Sequence, residues 1–163
     1  MIRHATENDI ECIAGIYNHY IQNTVVTFEE EMVSFSDINS RIARDAADGL
    51  PWLVAVDEGE IIGYAYATAW STRSAYRFTV ETTVYLSSRL VSKGWGSKLY
   101  ESLFQELKEM GIHVVIGGIT LPNEASIALH EKFGMYKVAH FKKVGSKFGK
   151  WHDVGYWQVE ISA

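Results

Sequence analysis

A single cysteine, Cys12, is the only thiol in 163 residues. That excludes an internal disulfide and any zinc site built from several cysteines, and it fits a reducing compartment. Cys12 falls among Ile13, Ile16, Tyr17, Tyr20 and Ile21 at helical spacing, so a buried structural thiol is expected rather than a nucleophile. Basic charge is also scarce. Fifteen Lys and Arg stand against twenty Asp and Glu, a formal net charge of −5. With no basic field and no basic helix, nucleic acid and acidic membrane surfaces are disfavoured as partners. Long apolar runs are missing too. The opening "MIRHATENDIECIAGIY" lacks the apolar segment of a secretion signal, and later apolar runs are far too short to cross a bilayer, so a soluble, cytoplasmic protein is expected. Repeats, linkers and low-complexity tracts are absent, which leaves one domain over residues 1–163.

What is present is core material: 47% of the residues are hydrophobic and 21% charged, enough for one ordinary globular domain. A short strand (Met1 to Ala5) leads into "TENDIECIAGIYNHYIQN", where Thr6 can cap a helix. The loop "TVVTFEEEMVS" precedes a second amphipathic helix around Asp37 to Asp48, ended by "GLP". "WLVAVDEGEIIGYAYATAW" reads as a hairpin turning at Glu58-Gly59. A β-branched and aromatic strand, "FTVETTVYL", follows, then a helix marked by Leu99, Leu103, Leu107 and Met110. "HVVIGGI" is a short buried strand, and "LPNEASIALHEKFG" is a helix with Asn123 at its N-cap and Gly134 past its end. Two strands, Tyr136 to Val144 and Trp151 to Ile161, complete an α/β sandwich on a mixed sheet.

Between the central strand and its helix lies "LSSRLVSKGWGSKLYESL", with Gly94 and Gly96 at the helix entrance. Such a loop can aim successive backbone N–H groups at one point, and the unpaired amides of the helix start add partial positive charge, which suits a phosphate. Taken alone, Gly-x-Gly is equally a tight turn. The dinucleotide fingerprint fails, because Leu99 stands where its third glycine belongs, and no Walker loop exists.

The element order together with "VSKGWG" resembles the Gcn5-related N-acetyltransferase (GNAT) family. Within it, "RSAYRFTVETTVYL", "LPNEASIALHEKFG" and "WHDVGYWQ" are similar to the phosphinothricin and methionine sulfoximine acetyltransferases over essentially the whole chain. Val91 departs from the family's usual Gln or Arg. The resemblance implies a GNAT fold, a mixed and mostly antiparallel sheet flanked by helices on both faces. It also implies acetyl-coenzyme A as co-substrate, no metal, and a small amino-acid-like acceptor. The pyrophosphate would be held by Ser92, Lys93, Gly94, Trp95, Gly96 and Ser97, the pantetheine arm by the backbone of Val84, Tyr85 and Leu86, and the coenzyme further by Asn123, for which an N-cap role is an equal account. A homodimer is implied, with the segment from Val144 to Trp151 near the partner. The closing strand "WHDVGYWQVEI", rich in aromatic and β-branched residues, is expected as an exposed edge or patch that needs cover.

Acetyl transfer to an amine requires a neutral amine, a polarised carbonyl and a proton for the thiolate. Strand alternation puts Glu81, Thr83 and Tyr85 on one face and Thr82, Val84 and Leu86 on the other. A carboxylate on so apolar a strand is partly desolvated and its pKa raised toward a useful base; a solvent-facing or salt-bridged Glu is the alternative. The family match favours the base. It likewise gives His130 a catalytic part, protonating the thiolate or completing a relay with Glu81, where a surface helical His is the plain alternative. For the acceptor carboxylate, Arg73 or Arg77 offers a guanidinium, and the resemblance favours Arg73, Ser74, Ala75 and Tyr76 with Phe28 and Lys147 nearby. Trp70, Trp151 and Trp157 are expected in core or interface. Two other functions stay open: acetylation of a different small amine or amino-acid metabolite, and a coenzyme-A-binding sensor without turnover, against which the presence of Glu81 and His130 argues.

Overall fold

Apolar residues recurring every three or four positions commit the first third of the chain to two helices; alternating and β-branched runs commit most of the remainder to strands. In the computed structural model, which describes residues 1–89 and 94–162, β1 (Ile2–His4) leads to α1 (Ile10–Asn23) and α2 (Phe35–Ala47). The hairpin of β2 (Trp52–Asp57) and β3 (Glu60–Ala69) follows, then β4 (Thr79–Leu86), α3 (Trp95–Glu109), β5 (Val114–Leu121), α4 (Glu124–Lys132), β6 (Tyr136–Lys147) and β7 (Lys150–Glu160). The β2–β3 turn falls at Glu58-Gly59, both at positive φ, the signature of a two-residue hairpin loop. Helix α2 starts two residues earlier than its apolar pattern suggested, because Ser34 and Asp37 close a capping box.

The seven strands form one sheet in the order β1-β2-β3-β4-β5-β7-β6. Every neighbouring pair is antiparallel except β4 and β5. Alternation divides each strand between two cores. Trp52, Val54 and Tyr64 face Ile10, Ile13, Tyr17 and Ile21 of α1 and Ile38 of α2; Leu53, Ala55, Ala65 and Val115 face Leu99, Leu103 and Leu107 of α3. The sheet is therefore covered by helices on both faces. Among the described residues no helix is long and apolar enough to cross a membrane.

Two expectations need correction. Cys12 is exposed: the buried stripe of α1 runs through Ile10, Ile13, Ala14, Tyr17 and Ile21, and Cys12 lies on the other side of the helix. Strand β7 is not an edge, since it pairs with β5 and β6 on its two sides; the edge is β6. The tryptophans expected in core or interface divide: Trp157 is in the core at 3% exposed, whereas Trp151 is exposed at the surface.

A buried carboxylate locks α2 to the sheet. Asp45 accepts from Trp52 Nε1 at 2.8 Å and Thr68 Oγ1 at 2.7 Å, and pairs with Arg44 at 3.1 Å. The Trp52 ring it fixes stacks on Tyr66 with centroids 4.0 Å apart. Replacing Asp45 by Ala would strand the buried indole N–H, so a loss of about 3 kcal/mol is expected in urea unfolding, with the m-value unchanged.

Candidate active site

The site begins with a break in the sheet. β4 and β5 run parallel only from Thr79 to Glu81 against Val114 to Ile116, although β4 continues to Leu86 and β5 to Leu121. Beyond Glu81 the two strands part. On its other side β4 stays paired with β3 from Val80 to Leu86, so the edge facing the gap keeps backbone N–H and C=O groups without a strand partner, a ready template for an extended ligand. A cleft of about 240 Å³ occupies the gap, and Glu81, Thr83, Val84, Tyr85, Phe28, Gly118, His130 and Tyr156 contribute to its lining.

Glu81 is the last residue of β4 paired with β5. It shares its face with Thr83 and Tyr85, and Tyr85 packs on Tyr17 and Tyr20 of α1. Among the described residues its carboxylate has no hydrogen-bond or ion-pair partner, and burial alone raises its pKa above the usual carboxylate value. Desolvation without a compensating donor disfavours the charged form, so this carboxylate binds a proton more readily than a solvated glutamate does.

His130 comes to the gap from the opposite face. It is 4% exposed. Its Nδ1 donates to the Ser126 carbonyl at 2.7 Å, which fixes the tautomer and leaves Nε2 as an acceptor for the Tyr100 hydroxyl at 3.3 Å. Tyr100 in turn accepts from Thr82 Oγ1 at 3.4 Å. Burial lowers the imidazole pKa, partly opposed by the Ser126 carbonyl, so the ring is neutral at neutral pH. Among the described residues no hydrogen bond joins His130 to Glu81: the two reach one cleft from opposite faces of the sheet.

Two glycines of β5 keep the gap open. A Cβ on Gly117 would lie 2.6 Å from His130 Nε2 and Cδ2, and one on Gly118 would lie 3.1 Å from the Tyr156 ring. Sequence reasoning passed over them, together with Thr82, Tyr100, Ser126 and Tyr156. The signals were a glycine pair inside a strand, which marks close approach, and a tyrosine on the buried face of α3, whose hydroxyl needs a partner.

The residues expected at the coenzyme cluster at the starts of α3 and α4 and the end of β4. Gly94 is the N-cap of α3 with φ 75°, a conformation natural to glycine, while Gly96 is buried against Leu129 and Leu86. Trp95 lies under the Lys98 ammonium at 4.3 Å, and Ser97 Oγ accepts from Lys132 at 3.1 Å. Ser92, Lys93 and Val91 lie outside the described residues. The Leu86 carbonyl accepts from the Tyr20 hydroxyl at 2.5 Å. Asn123 caps α4, its side chain accepting from the Ser126 amide. Among the described residues no group of three His, Cys, Asp or Glu lies close enough to hold a metal ion.

The residues expected at the acceptor divide. Phe28 lines the cleft. Arg73 and Ser74 line a separate hollow of about 460 Å³ with Asp48, Phe78 and Met110. Ala75 and Tyr76 are exposed beside them, and Arg77 bonds the Ser74 carbonyl. The loop that carries them nevertheless springs from Trp70, whose ring meets that of Tyr156 edge to face at 5.8 Å. Lys147 is only 2% exposed and points its ammonium at the Thr27 carbonyl, 2.8 Å away.

A sheet that splays to admit an extended ligand, a glycine-capped helix start at one end of the gap and an isolated carboxylate beside it define a site for group transfer from a phosphate-bearing carrier. Residues 2–155 match the acetyltransferase (GNAT) domain family, and the chain belongs to that family. It is 41% identical over 160 residues to a phosphinothricin N-acetyltransferase of Streptomyces viridochromogenes, covering 98% of this chain and 87% of that one. It is 36% identical to an L-methionine sulfoximine/L-methionine sulfone acetyltransferase of Salmonella typhimurium, covering 98% and 94%. A solved phosphinothricin acetyltransferase from Sinorhizobium meliloti, in complex with AcCoA, superposes with a TM-score of 0.96 at 36% identity, covering 99% and 88%.

The raised pKa of Glu81 makes a stability test. An acid whose folded pKa lies above its unfolded value adds stability below the unfolded value and loses it as pH rises through the folded one. Glu81→Gln removes the desolvated charge, so the variant is expected to melt higher than wild type at pH 7. That advantage should vanish as pH falls below the ordinary value of 4.5, where wild type is also neutral. Thermal melts at the two pH values check it.

Proposed function

We propose that this chain transfers the acetyl group of acetyl-coenzyme A to the primary amine of a small amino-acid-like acceptor of the phosphinothricin, methionine sulfoximine or methionine sulfone type, with Glu81 as general base. The observation that carries the reading is an unpartnered, half-buried carboxylate at the point where β4 leaves β5. When bound, the coenzyme supplies a thioester carbonyl open to attack by an amine.

The residues divide the work by face. On the α3–α4 face, the amides of Gly94 to Ser97 at the helix start meet the pyrophosphate, with Ser92 and Lys93 completing the loop in sequence. The free edge of β4 over Val84, Tyr85 and Leu86 takes the pantetheine arm and orients the carbonyl. Asn123 spends its side-chain oxygen on the α4 cap, leaving its NH2 to the coenzyme. On the α1–α2 face, Phe28 and Tyr156 wall the acceptor, and Glu81 takes the proton of its amine. Arg73, Ser74, Ala75 and Tyr76 serve the acceptor carboxylate from the rim. His130 works through Tyr100: the neutral ring orients the Tyr100 hydroxyl, which gives its proton to the departing sulfur; Glu81 is left protonated and Tyr100 deprotonated, and exchange with solvent restores both, so the net change is one proton from nitrogen to sulfur.

A homodimer belongs to the same reading. Tyr136, Val138, Phe141, Val144, Phe148 and Trp151 are all exposed along the edge strand and its hairpin, apolar side chains of the kind a partner covers. A second copy would cover it with two-fold symmetry. With acetyl-coenzyme A as donor the reaction is assigned to the cytoplasm. Acetylation removes the free amine of a toxic amino-acid analogue, a detoxifying outcome that would give herbicide resistance where phosphinothricin is the analogue.

Steady-state rates over a panel of free amino acids, phosphinothricin, methionine sulfoximine and methionine sulfone test the acceptor class. The analogues are expected to lead, and a lead by an unrelated amine overturns that assignment. Glu81→Gln should lower turnover roughly a hundredfold or more with acetyl-coenzyme A affinity kept; near-normal rates at neutral pH remove Glu81 from the mechanism. Light scattering at micromolar concentration should give twice the chain mass, and a fully active species of one chain's mass sinks the dimer.

A further inference from the structure

Lys147 has a setting that binding an acceptor does not explain. Its side chain is 2% exposed, and among the described residues no carboxylate lies within ion-pair distance of it. The ammonium donates to the Thr27 carbonyl at 2.8 Å and stands 5.1 Å from the Phe148 ring centre. Burial pulls its pKa down, partly opposed by Glu30 and Glu29. A charge kept in such a place is costly, and what offsets the cost is the group it holds.

That group is a loop of the cleft. Thr27 is also held from inside, its hydroxyl 2.8 Å from the Tyr17 hydroxyl. Tyr17 donates to Glu29, and Arg41 grips both Glu29 oxygens at 2.6 and 2.9 Å. Phe28 therefore has both chain neighbours fixed. Its ring rests against the backbone of Gly145, where any Cβ would come within 2.2 Å of it. The His152 ring lies 6.1 Å from the Phe28 ring between centres, and its Nε2 donates to the Lys147 carbonyl at 3.0 Å.

We infer that Lys147 is a positioning residue rather than an acceptor ligand: with Gly145 it forms a clamp by which the tip of the β6–β7 hairpin sets Phe28 as the acceptor wall of the cleft. The inference rests on reading the cleft as the acetyl-transfer site. It assigns acceptor specificity to a hairpin that contributes Phe28's support and no ligand of its own from Lys147. The free energy of the clamp goes into the geometry of one aromatic wall, so its loss moves acceptor binding and leaves the coenzyme side alone.

The test uses the full chain with methionine sulfone as acceptor. Lys147→Met keeps the stem and loses the ammonium. KM for the acceptor is expected to rise roughly tenfold, with kcat within about twofold and KM for acetyl-coenzyme A unchanged. Gly145→Ala, which drives a methyl group into the ring, should show the same split. In a Phe28→Ala background, Lys147→Met should add almost nothing, because the two act through one contact. A direct ligand behaves otherwise: its penalty adds in full to that of Phe28→Ala and disappears with the same acceptor stripped of its carboxylate, and that result overturns the clamp. Amide hydrogen exchange gives a readout independent of activity. Faster exchange at Thr27 to Glu29 in Lys147→Met supports the clamp even if the acceptor class proves wrong, whereas unchanged exchange overturns it even in an active enzyme.

Discussion

Everything at the site depends on two parallel strands that stay together for three residue pairs and then separate. Parallel strands need a crossover between them, and α3 provides it. Its start therefore lies at the open end of the gap, where Gly94 turns the chain with a positive φ. One topological event thus leaves free backbone along β4 and unpaired amides at the start of α3, the two features on which the proposed coenzyme site rests. The gap survives because β5 carries Gly117 and Gly118 where side chains would collide with His130 on one face and Tyr156 on the other.

The electrostatics single out one carboxylate against a background of satisfied ones. Asp9 is gripped by Arg3 and Thr6, Glu29 by Arg41 and Tyr17, and Asp45 by Trp52, Thr68 and Arg44. Hydrogen bonds from these partners hold Asp9 and Glu29 below the usual carboxylate range. Glu81 goes the other way, because desolvation acts on it without a compensating donor. An unpartnered polar group in a cleft costs stability and is kept where it serves chemistry.

Much of this was legible in the sequence, and for local reasons. The Glu58-Gly59 turn, the Asn123 cap and the glycine at the α3 entrance are each determined by residues within a few positions of one another. Alternation along "VETTVYL" correctly divided Glu81 from Thr82, which is why the carboxylate and the hydroxyl chain come to the cleft from opposite faces. What escaped the sequence depends on distant partners. Tyr100 meets His130 and Thr82 only because α3, α4 and β4 converge. Cys12 sits among apolar neighbours, yet the buried stripe of its helix passes it by. Lys147 was expected near the acceptor, but the partner it holds, Thr27, lies 120 positions away. The order of β6 and β7 reversed the expected edge for the same reason: strand neighbours far apart in sequence carry no local signal.

Backbone amide exchange along β4, read with and without acetyl-coenzyme A, tests most directly whether the parted strands are the coenzyme's binding edge. Amides within Thr82 to Leu86 that face the gap should become protected on binding, while those of Val80 and Ile116, already inside the paired stretch, stay as they were. Unchanged exchange along Thr82 to Leu86 at saturating coenzyme, with protection appearing at another surface instead, would contradict the assignment of the site.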